Sequence, residues 1–434
     1  KTVVAMHRAK HLASKCEGQQ RILVTTFTAN LAADIRENLR KICTLEELRR
    51  IEVIHLDAWV NQFLRESGFS AQIGYDDVIN PLWEKAVLSA NIDLPFETSF
   101  YEEEWNRIAI AQEALTLEKY VRATRNGRGT RLDRKKRMQV WKVFENYQNL
   151  MKENQIRDIN TAMYESTKLL QSVGRKPRYA SIIIDEGQDF SDNAYRLIRA
   201  LAGEEHPNDI FIVGDSHQRI YRNHPTLSKC GINVRGRSSI LKINYRTTEE
   251  IRKYAFALLN GISFDDLDEN SDLGDKCQSL THGEKPIVEN FENANDEFDF
   301  LLHEVKKLKE NGISLTDICV VARTKKLVDD YIALFTKAGI CAYVIKRNKV
   351  DDRSFDGLRV ATMHRVKGLE FKYVFIVAAN SRIIPLPSAI NKTDPVSEVE
   401  SVTSEKCLLY VAMTRAQKGV YITSYGRKSV FLKS

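Results

Sequence analysis

The sequence lacks the features that would indicate a membrane span, a disulfide framework or a zinc site. No run of about 18 uninterrupted apolar residues occurs, so we expect no membrane-spanning helix. Its seven cysteines are scattered and no two form a CxxC pair. This spacing argues against zinc binding and favours a reducing, intracellular setting, so we expect a cytoplasmic protein.

The composition is that of a globular protein with more than one domain. The chain has 434 residues, of which 43% are hydrophobic and 28% charged, so two or three domains are expected. The net charge of +7 is modest, but residues 122–137 carry eight Arg or Lys side chains against a single Asp133. Such a block is typical of a solvated surface or of a phosphate-binding one, and it leaves both interpretations open.

Short apolar runs alternate with helical patterns along most of the chain, which predicts an α/β fold with parallel sheets and crossover helices. One set of buried strands is predicted at residues 21–27, 51–56, 179–186, 209–215 and 238–245. A second set is predicted at residues 317–323, 342–347, 358–364, 373–379 and 420–425. Residues 61–175 interrupt the alternation with helix-like, aromatic and charged sequence, which we interpret as a helical insertion into the first domain.

The stretch SIIIDEGQDF places Asp185 and Glu186 at the carboxyl end of a predicted strand, where open α/β sheets bind their ligands. Adjacent acids there suit a nucleotide site. Asp185 would hold Mg²⁺ through water, Glu186 would orient or deprotonate the attacking water, and Gln188 would sense the γ-phosphate. The alternative is an acidic strand end that leads into a capped helix.

Four later strings complete a recognisable series. DEGQD is followed by GDSHQRIY, NYRT, TMHRVKGLEF and YVAMTRA. Each string is weak evidence alone, but in this order they resemble the successive motifs of superfamily 1 helicases of the UvrD/Rep type. The resemblance extends over roughly residues 1–425.

The resemblance implies two RecA-like P-loop domains with ATP between them. The first would comprise residues 1–60 and 176–245 and carry the helical insertion 61–175, which would contact nucleic acid. The second would comprise residues 246–434, because the interval from Arg246 to Thr362 has room for the RecA-like core but for no large insertion.

The resemblance also assigns the opening residues. Lys1 and Thr2 would be the last two residues of a Walker A loop, GxxxxGK followed by Ser or Thr, as if the chain were truncated at the Walker A lysine. Lys1 would reach the β- and γ-phosphates, and Thr2 would bind Mg²⁺ together with Asp185. Without the glycine-rich part of the loop, we expect weak ATP binding.

The remaining ATP contacts would come mostly from the second domain. Tyr245 would stack on adenine, while Arg246 and Arg415 would approach the γ-phosphate as arginine fingers. Gln218 in the first domain would touch the γ-phosphate as well. Gly368 and Glu370 would line the nucleotide, with Glu370 at the ribose.

A nucleic-acid track follows from the same resemblance. Its expected members are Phe27, Thr28, His55, Tyr221 and His364, together with Arg128 and Arg131 of the basic block. Aromatic stacking on bases has little sequence preference, which suits a translocating motor. For each aromatic residue the alternative is a place in the hydrophobic core. One family feature differs, because Asn223 occupies a position where relatives carry an aromatic residue.

We therefore expect an ATP- and Mg²⁺-dependent helicase or translocase that moves 3′ to 5′ on single-stranded DNA or at its junction with duplex. A superfamily 1 RNA helicase remains open. So does a DNA-stimulated ATPase or nucleic-acid-binding module without productive unwinding.

Overall fold

The computed structural model describes residues 1–172, 179–221, 225–265, 271–272, 277–346 and 351–432. Position 223 therefore lies outside the described residues, as do residues 173–175 at the end of the predicted insertion and residue 347 at the end of a predicted strand. No helix among the described residues is long and apolar enough to cross a membrane.

The helices and strands are numbered in chain order. The helices are α1 (Thr2–Ala13), α2 (Ala29–Ile42), α3 (Leu45–Arg50), α4 (Leu56–Glu66), α5 (Asp76–Ala90), α6 (Thr98–Glu104), α7 (Leu117–Arg122), α8 (Arg134–Glu153), α9 (Ile159–Ser172), α10 (Asp192–Ala202), α11 (Glu249–Ala257), α12 (Ala294–Glu310), α13 (Lys325–Lys337) and α14 (Pro395–Met413). The strands are β1 (Ile22–Thr26), β2 (Ile51–Val53), β3 (Gln72–Gly74), β4 (Ile156–Asp158), β5 (Ser181–Asp185), β6 (Ile210–Ile212), β7 (Ile243–Asn244), β8 (Phe264–Asp265), β9 (Ser271–Asp272), β10 (Gln278–Ser279), β11 (Ile287–Phe291), β12 (Ile318–Ala322), β13 (Ala342–Val344), β14 (Leu358–Thr362), β15 (Phe371–Ile376) and β16 (Ala416–Tyr425).

The first lobe is built on a parallel sheet with the strand order β2–β1–β5–β6. Helices cover both of its faces, as parallel sheets require. Val24 and Ile183 pack towards α1 and α2, whereas Leu23, Ile182 and neighbouring residues pack towards α4, α9 and α10. Because α4 and α9 contribute to this core, part of the predicted insertion belongs structurally to the first lobe.

The rest of the insertion has a hydrophobic core of its own, built mainly by α5 to α8. Trp83 stacks on Tyr147 with ring centroids 3.7 Å apart, and Trp105 and Phe144 pack edge-on against that pair. The prediction of a helical, aromatic-rich segment is confirmed here. The short parallel pair β3–β4 closes its base.

The second lobe is built on a parallel sheet with the strand order β11–β16–β15–β12–β14–β13. All five strands predicted for it are present. The edge strand β11 was not predicted, because its residues are mostly exposed and form no apolar run.

The prediction of a buried strand at residues 238–245 is wrong. Only β7 forms there, and it pairs with β10 outside the first sheet. Ile240 and Leu241 are 51% and 48% exposed. An apolar run does not by itself tell whether neighbouring strands are available to bury it.

Candidate nucleotide and nucleic-acid site

The acidic pair lies where β5 ends at the carboxyl edge of the first sheet. Asp185 is the last residue of β5 and pairs in register with Thr26 of β1. Glu186 follows with φ 56° and ψ 41°, a left-handed conformation that turns its side chain out of the strand direction. Gly187 then has no room for a Cβ, which would lie 2.6 Å from Ile212 Cγ2.

The two carboxylates are driven in opposite electrostatic directions. Burial and the charge of Glu186 raise the pKa of Asp185 to about 6. Burial also acts to raise the pKa of Glu186, but the Lys367 and Arg415 cations outweigh it, so this pKa is lowered. Opposite shifts in neighbouring acids are typical of sites in which the two carboxylates have different roles.

Asp185 and Thr2 suit a small divalent cation. Asp185 Oδ2 is buried and accepts no hydrogen bond from the described residues, and Thr2 contacts the same carboxyl group. Carboxylate and hydroxyl oxygens are ligands that Mg²⁺ accepts, and Mg²⁺ usually binds through one or two carboxylates plus substrate phosphates. The described residues contain no cluster of three or more His, Cys, Asp or Glu side chains that could hold a metal ion.

A chain of polar contacts joins the ends of β5 and β6. Gln188 Nε2 donates to Glu186 Oε2 at 2.6 Å, and Gln188 Oε1 accepts from the Asp215 amide at 2.9 Å. Lys1 Nζ pairs with Asp215 Oδ2 at 3.0 Å. Although burial acts in the opposite direction, Lys1 and His217 hold the pKa of Asp215 well below its usual value.

The chain of contacts continues into the second lobe through Gln218. Its Nε2 donates to Asp215 Oδ2 at 2.9 Å, while its Oε1 accepts from Arg415 Nη2 at 2.9 Å. Arg415 is fully buried at the junction of α14 and β16, and its Nη1 makes no hydrogen bond to the described residues. Burial and the charge of Arg246 lower its pKa to about 10, so it remains a cation at neutral pH.

Lys367 forms a second bridge between the lobes, and no role was predicted for it from the sequence. It is buried, and its Nζ donates to Asp189 Oδ2 and to the Gln218 carbonyl, the latter at 2.7 Å. Glu186 Oε2 lies 3.7 Å from the same nitrogen. Lys367 is the lysine of the string KGLEF, but the sequence around a lysine does not indicate which carboxylate it pairs with.

The other second-lobe candidates lie beside this bridge. Arg246 pairs with Glu370, Nε to Oε1 at 2.7 Å, and Gln417 Nε2 donates to Glu370 Oε2 at 3.1 Å. Tyr245 is 75% exposed. Gly368, at φ +85°, approaches Leu31 of α2, and a Cβ there would lie 3.5 Å from Leu31 Cδ1.

The track candidates lie on both sides of the same boundary. Phe27 and Tyr221 contact each other with ring centroids 4.6 Å apart. Thr28 caps α2 through a hydrogen bond from the Leu31 amide, and His55 is the N-cap residue of α4. His364 lies in the loop after β14.

The two arginines of the basic block differ in position. Arg131 is exposed. The Arg128 side chain is fully buried, pairs with Glu103 at 2.5 Å and Glu104 at 3.2 Å, and lies over the Phe100 ring. Phosphate binding by Arg128 would require these ion pairs to break.

The molecule has two lobes built on parallel sheets. The first lobe carries Asp185, Glu186 and Lys1, and the second carries Arg415 on the other side of the boundary. This arrangement defines a P-loop NTPase of two RecA-like domains. A family model described as the UvrD/REP helicase N-terminal domain matches residues 1–224. That of the UvrD-like helicase C-terminal domain matches residues 239–355 and 347–427. The chain belongs to the UvrD/Rep family of ATP-dependent DNA helicases.

Curated relatives are similar at low identity. A probable DNA helicase from Mycoplasma pneumoniae is 24% identical over 99% of this chain and 79% of its own length. A probable DNA helicase II homolog from the same organism is 22% identical over 80% of this chain and 50% of its own. The ATP-dependent DNA helicase PcrA of Staphylococcus aureus is 22% identical over 90% of this chain, which spans 52% of that relative.

Among solved structures, the C-terminal domain of a possible DNA helicase from Lactobacillus plantarum WCFS1 is 16% identical. The match covers 43% of this chain and 91% of that one, with a TM-score of 0.31.

Proposed function

We propose that the protein is an ATP-driven motor that moves 3′ to 5′ on single-stranded DNA and separates duplex ahead of it. The observation that carries the proposal is the chain of contacts Lys1–Asp215–Gln218–Arg415, which crosses from the first lobe to the second. Because γ-phosphate binding would engage these same groups, nucleotide state would control the contact between the lobes.

Each site residue has a role that its surroundings support. Glu186 is kept ionised by Lys367 and Arg415, so it can accept a proton from the attacking water or orient that water. Lys1 would exchange Asp215 for the phosphates. Arg415, whose Nη1 lacks a partner among the described residues, has a donor available for the γ-phosphate. When bound between Asp185 and Thr2, Mg²⁺ would neutralise phosphate charge.

Arg246, Glu370 and Tyr245 would complete the nucleotide site. The exposed Tyr245 ring can take adenine, Glu370 can accept from the ribose hydroxyls, and Arg246 can turn from Glu370 to the γ-phosphate. Gly368 holds the loop against α2. The DNA strand would lie between the lobes and contact Phe27, Thr28, His55, Tyr221 and His364. Arg131 would contact its phosphates.

The test is ATP turnover by the full-length protein with single-stranded DNA, with RNA of the same sequence and without nucleic acid. We expect stimulation by DNA, and no stimulation would overturn the proposal. Stimulation by RNA alone would replace DNA by RNA as the substrate. The control Glu186→Gln should lower turnover by about 10²–10⁴-fold while leaving ATP binding intact, because it removes the base but not the phosphate contacts.

Polarity needs a separate assay. Streptavidin on a 3′- or 5′-biotinylated oligonucleotide is displaced only from the end towards which a motor runs. We expect ATP-dependent displacement from the 5′ end. Displacement from the 3′ end alone would reverse the assigned direction.

A further inference from the structure

The helical insertion contacts the second lobe at a place distant from the candidate nucleotide site. Asp394, the N-cap residue of α14, accepts from the amides of Gly129 and Thr130 at 3.1 and 2.7 Å. The same carboxylate caps α14 through the Val396 and Ser397 amides. The loop of the insertion therefore shares a helix cap with the second lobe.

Charged contacts surround this shared cap. Arg107 forms a bidentate pair with Glu400 of α14 at 2.7 and 3.0 Å, and both side chains are about four-fifths buried. Ser397 Oγ donates to Glu103 Oε2 at 2.6 Å. We call the whole interface the latch: Glu103, Arg107, Gly129 and Thr130 of the insertion, with Asp394, Ser397 and Glu400 of α14.

The latch and the nucleotide site lie at opposite ends of one helix. α14 has 19 residues, a length of about 28 Å at 1.5 Å per residue. Its carboxyl end leads directly into Arg415, which contacts Gln218 across the cleft. The amino-terminal end of α14 is therefore hydrogen-bonded to the insertion. Arg415, just beyond its carboxyl end, is hydrogen-bonded to Gln218 of the first lobe.

Nucleotide can compete for contacts at only one of these ends. Lys1, Gln218 and Arg415 are the groups that we propose to bind phosphate, so their contacts with each other change in each cycle. The latch consists of one bidentate ion pair, one side-chain hydrogen bond and two hydrogen bonds from backbone amides to a carboxylate, all at the opposite end of α14 from those groups. Removing one partner of such a largely buried pair is costly, because the other charge is left without a counter-ion.

We propose that the latch is the pivot of the motor: it stays closed throughout the ATP cycle while α14 rocks about it and moves Arg415 at the far end. This regulation of coupling rests on the proposed function. Arg107 lies in the π-helical turn Trp105–Ile110, a local irregularity that is frequent at functional sites and aims its side chain at α14. The insertion and the second lobe then stay in contact at the latch while the far end of α14 moves.

A disulfide across the latch separates a pivot from a contact that opens. A Cβ at position 129 would lie 3.2 Å from Val396 Cγ2 and 3.0 Å from Asp394 Oδ1, and Gly129 has no positive φ. Gly129→Cys with Val396→Cys therefore suits the short span of a disulfide once the Asp394 carboxylate shifts slightly, and comparison with the reduced form controls for that shift. The oxidised double variant should keep the DNA-stimulated turnover of its reduced form. Loss of turnover on oxidation, restored by reductant, would overturn the pivot, and the two single variants control for oxidation elsewhere.

Charge reversal tests whether the latch carries coupling. Glu400→Arg should lower DNA-stimulated turnover about tenfold while basal turnover without DNA persists, and adding Arg107→Glu should restore most of it. The matched control is Glu398→Arg, the same change at an exposed site on the same helix. Unchanged stimulation in Glu400→Arg, or no rescue by the reversed pair, would contradict the inference.

Hydrogen exchange tests the pivot without relying on turnover. The Gly129 and Thr130 amides should keep the same protection with and without a non-hydrolysable ATP analogue, whereas residues 186–190 and 366–368 should change. Deprotection of the two latch amides by the analogue would overturn the pivot. An enzyme with no DNA-stimulated turnover in any form would overturn the proposed function instead, and exchange would still test the latch.

Discussion

At the scale of single residues, the surroundings of each acidic side chain at the site determine the direction in which its pKa shifts. Asp185 and Glu186 are neighbours in the chain, yet burial raises the pKa of the first while Lys367 and Arg415 overcome burial at the second and lower its pKa. The ionised form of Asp185 is therefore the one that an added cation would stabilise more. Glu186 already has cations of the second lobe beside it. The sequence predicted the pair but could not reveal this difference, because it depends on residues far along the chain.

His364 shows the same effect for a base. Burial and the nearby Arg323 cation lower its pKa to about 4. Unfolded histidine takes up a proton near pH 6.5, so between pH 6.5 and 4 the unfolded chain binds more protons and stability falls as pH falls. From pH 7 to 5 the wild type should lose on the order of 1–2 kcal/mol more than His364→Gln.

Denaturant melts of both proteins at pH 7 and 5 measure this difference. The exposed His303, changed to Gln, is the control and should follow the wild type. Equal pH dependence of the wild type and His364→Gln would show that the folded-state pKa of His364 is not lowered.

At the scale of elements, the sequence predicted the strands that are buried on both faces, because such strands are continuous apolar runs. β1, β5 and β12 lie within their predicted ranges and are buried along their whole length. The edge strand β11 escaped prediction, since its residues are mostly exposed. The prediction of a buried strand at residues 238–245 failed for the opposite reason. These residues include an apolar run, but no strand of the first-lobe sheet lies beside them.

The turn after β5 can be tested directly. In Gly187→Ala, the added Cβ would lie 2.6 Å from Ile212 Cγ2 and 2.8 Å from Tyr195 Oη, so the turn or its neighbours must shift. Overpacking of this kind costs about 1–3 kcal/mol. We expect a lower melting temperature and a larger relative loss of ATP turnover, because the shift displaces Glu186; unchanged values of both would mean that the turn has spare room.

At the scale of the whole molecule, the lobes are joined by contacts between residues that are distant in sequence. Lys367 and Asp189 are 178 positions apart, and the sequence placed both in motifs without linking them. Arg128, for which the sequence predicted a contact with nucleic acid, lies in a buried ion cluster beside α14 that the sequence did not indicate. Pairings of this kind cannot be inferred from motif order, because any lysine or arginine suits any carboxylate.

A double-mutant cycle measures the joint between the lobes. Lys367→Met leaves Asp189 buried without its cation, which costs about 3–5 kcal/mol in comparable pairs. Adding Asp189→Asn should recover part of this loss. The control Lys372→Met breaks the partly exposed pair with Asp317, at a cost of about 0–1 kcal/mol. Strictly additive losses at 367 and 189 would show that the two side chains are not coupled.

The cap shared by Gly129 and Asp394 also has a consequence for biosynthesis. The two residues are 265 positions apart, so at 5–20 residues per second the insertion emerges from the ribosome roughly 10–50 s before its partner. During that interval the insertion already has the residues of its own aromatic core, but the carboxylate of Glu400 that pairs with Arg107 has not yet been made. Joining the two halves is therefore a late docking event, and it occurs only after α14 has left the exit tunnel.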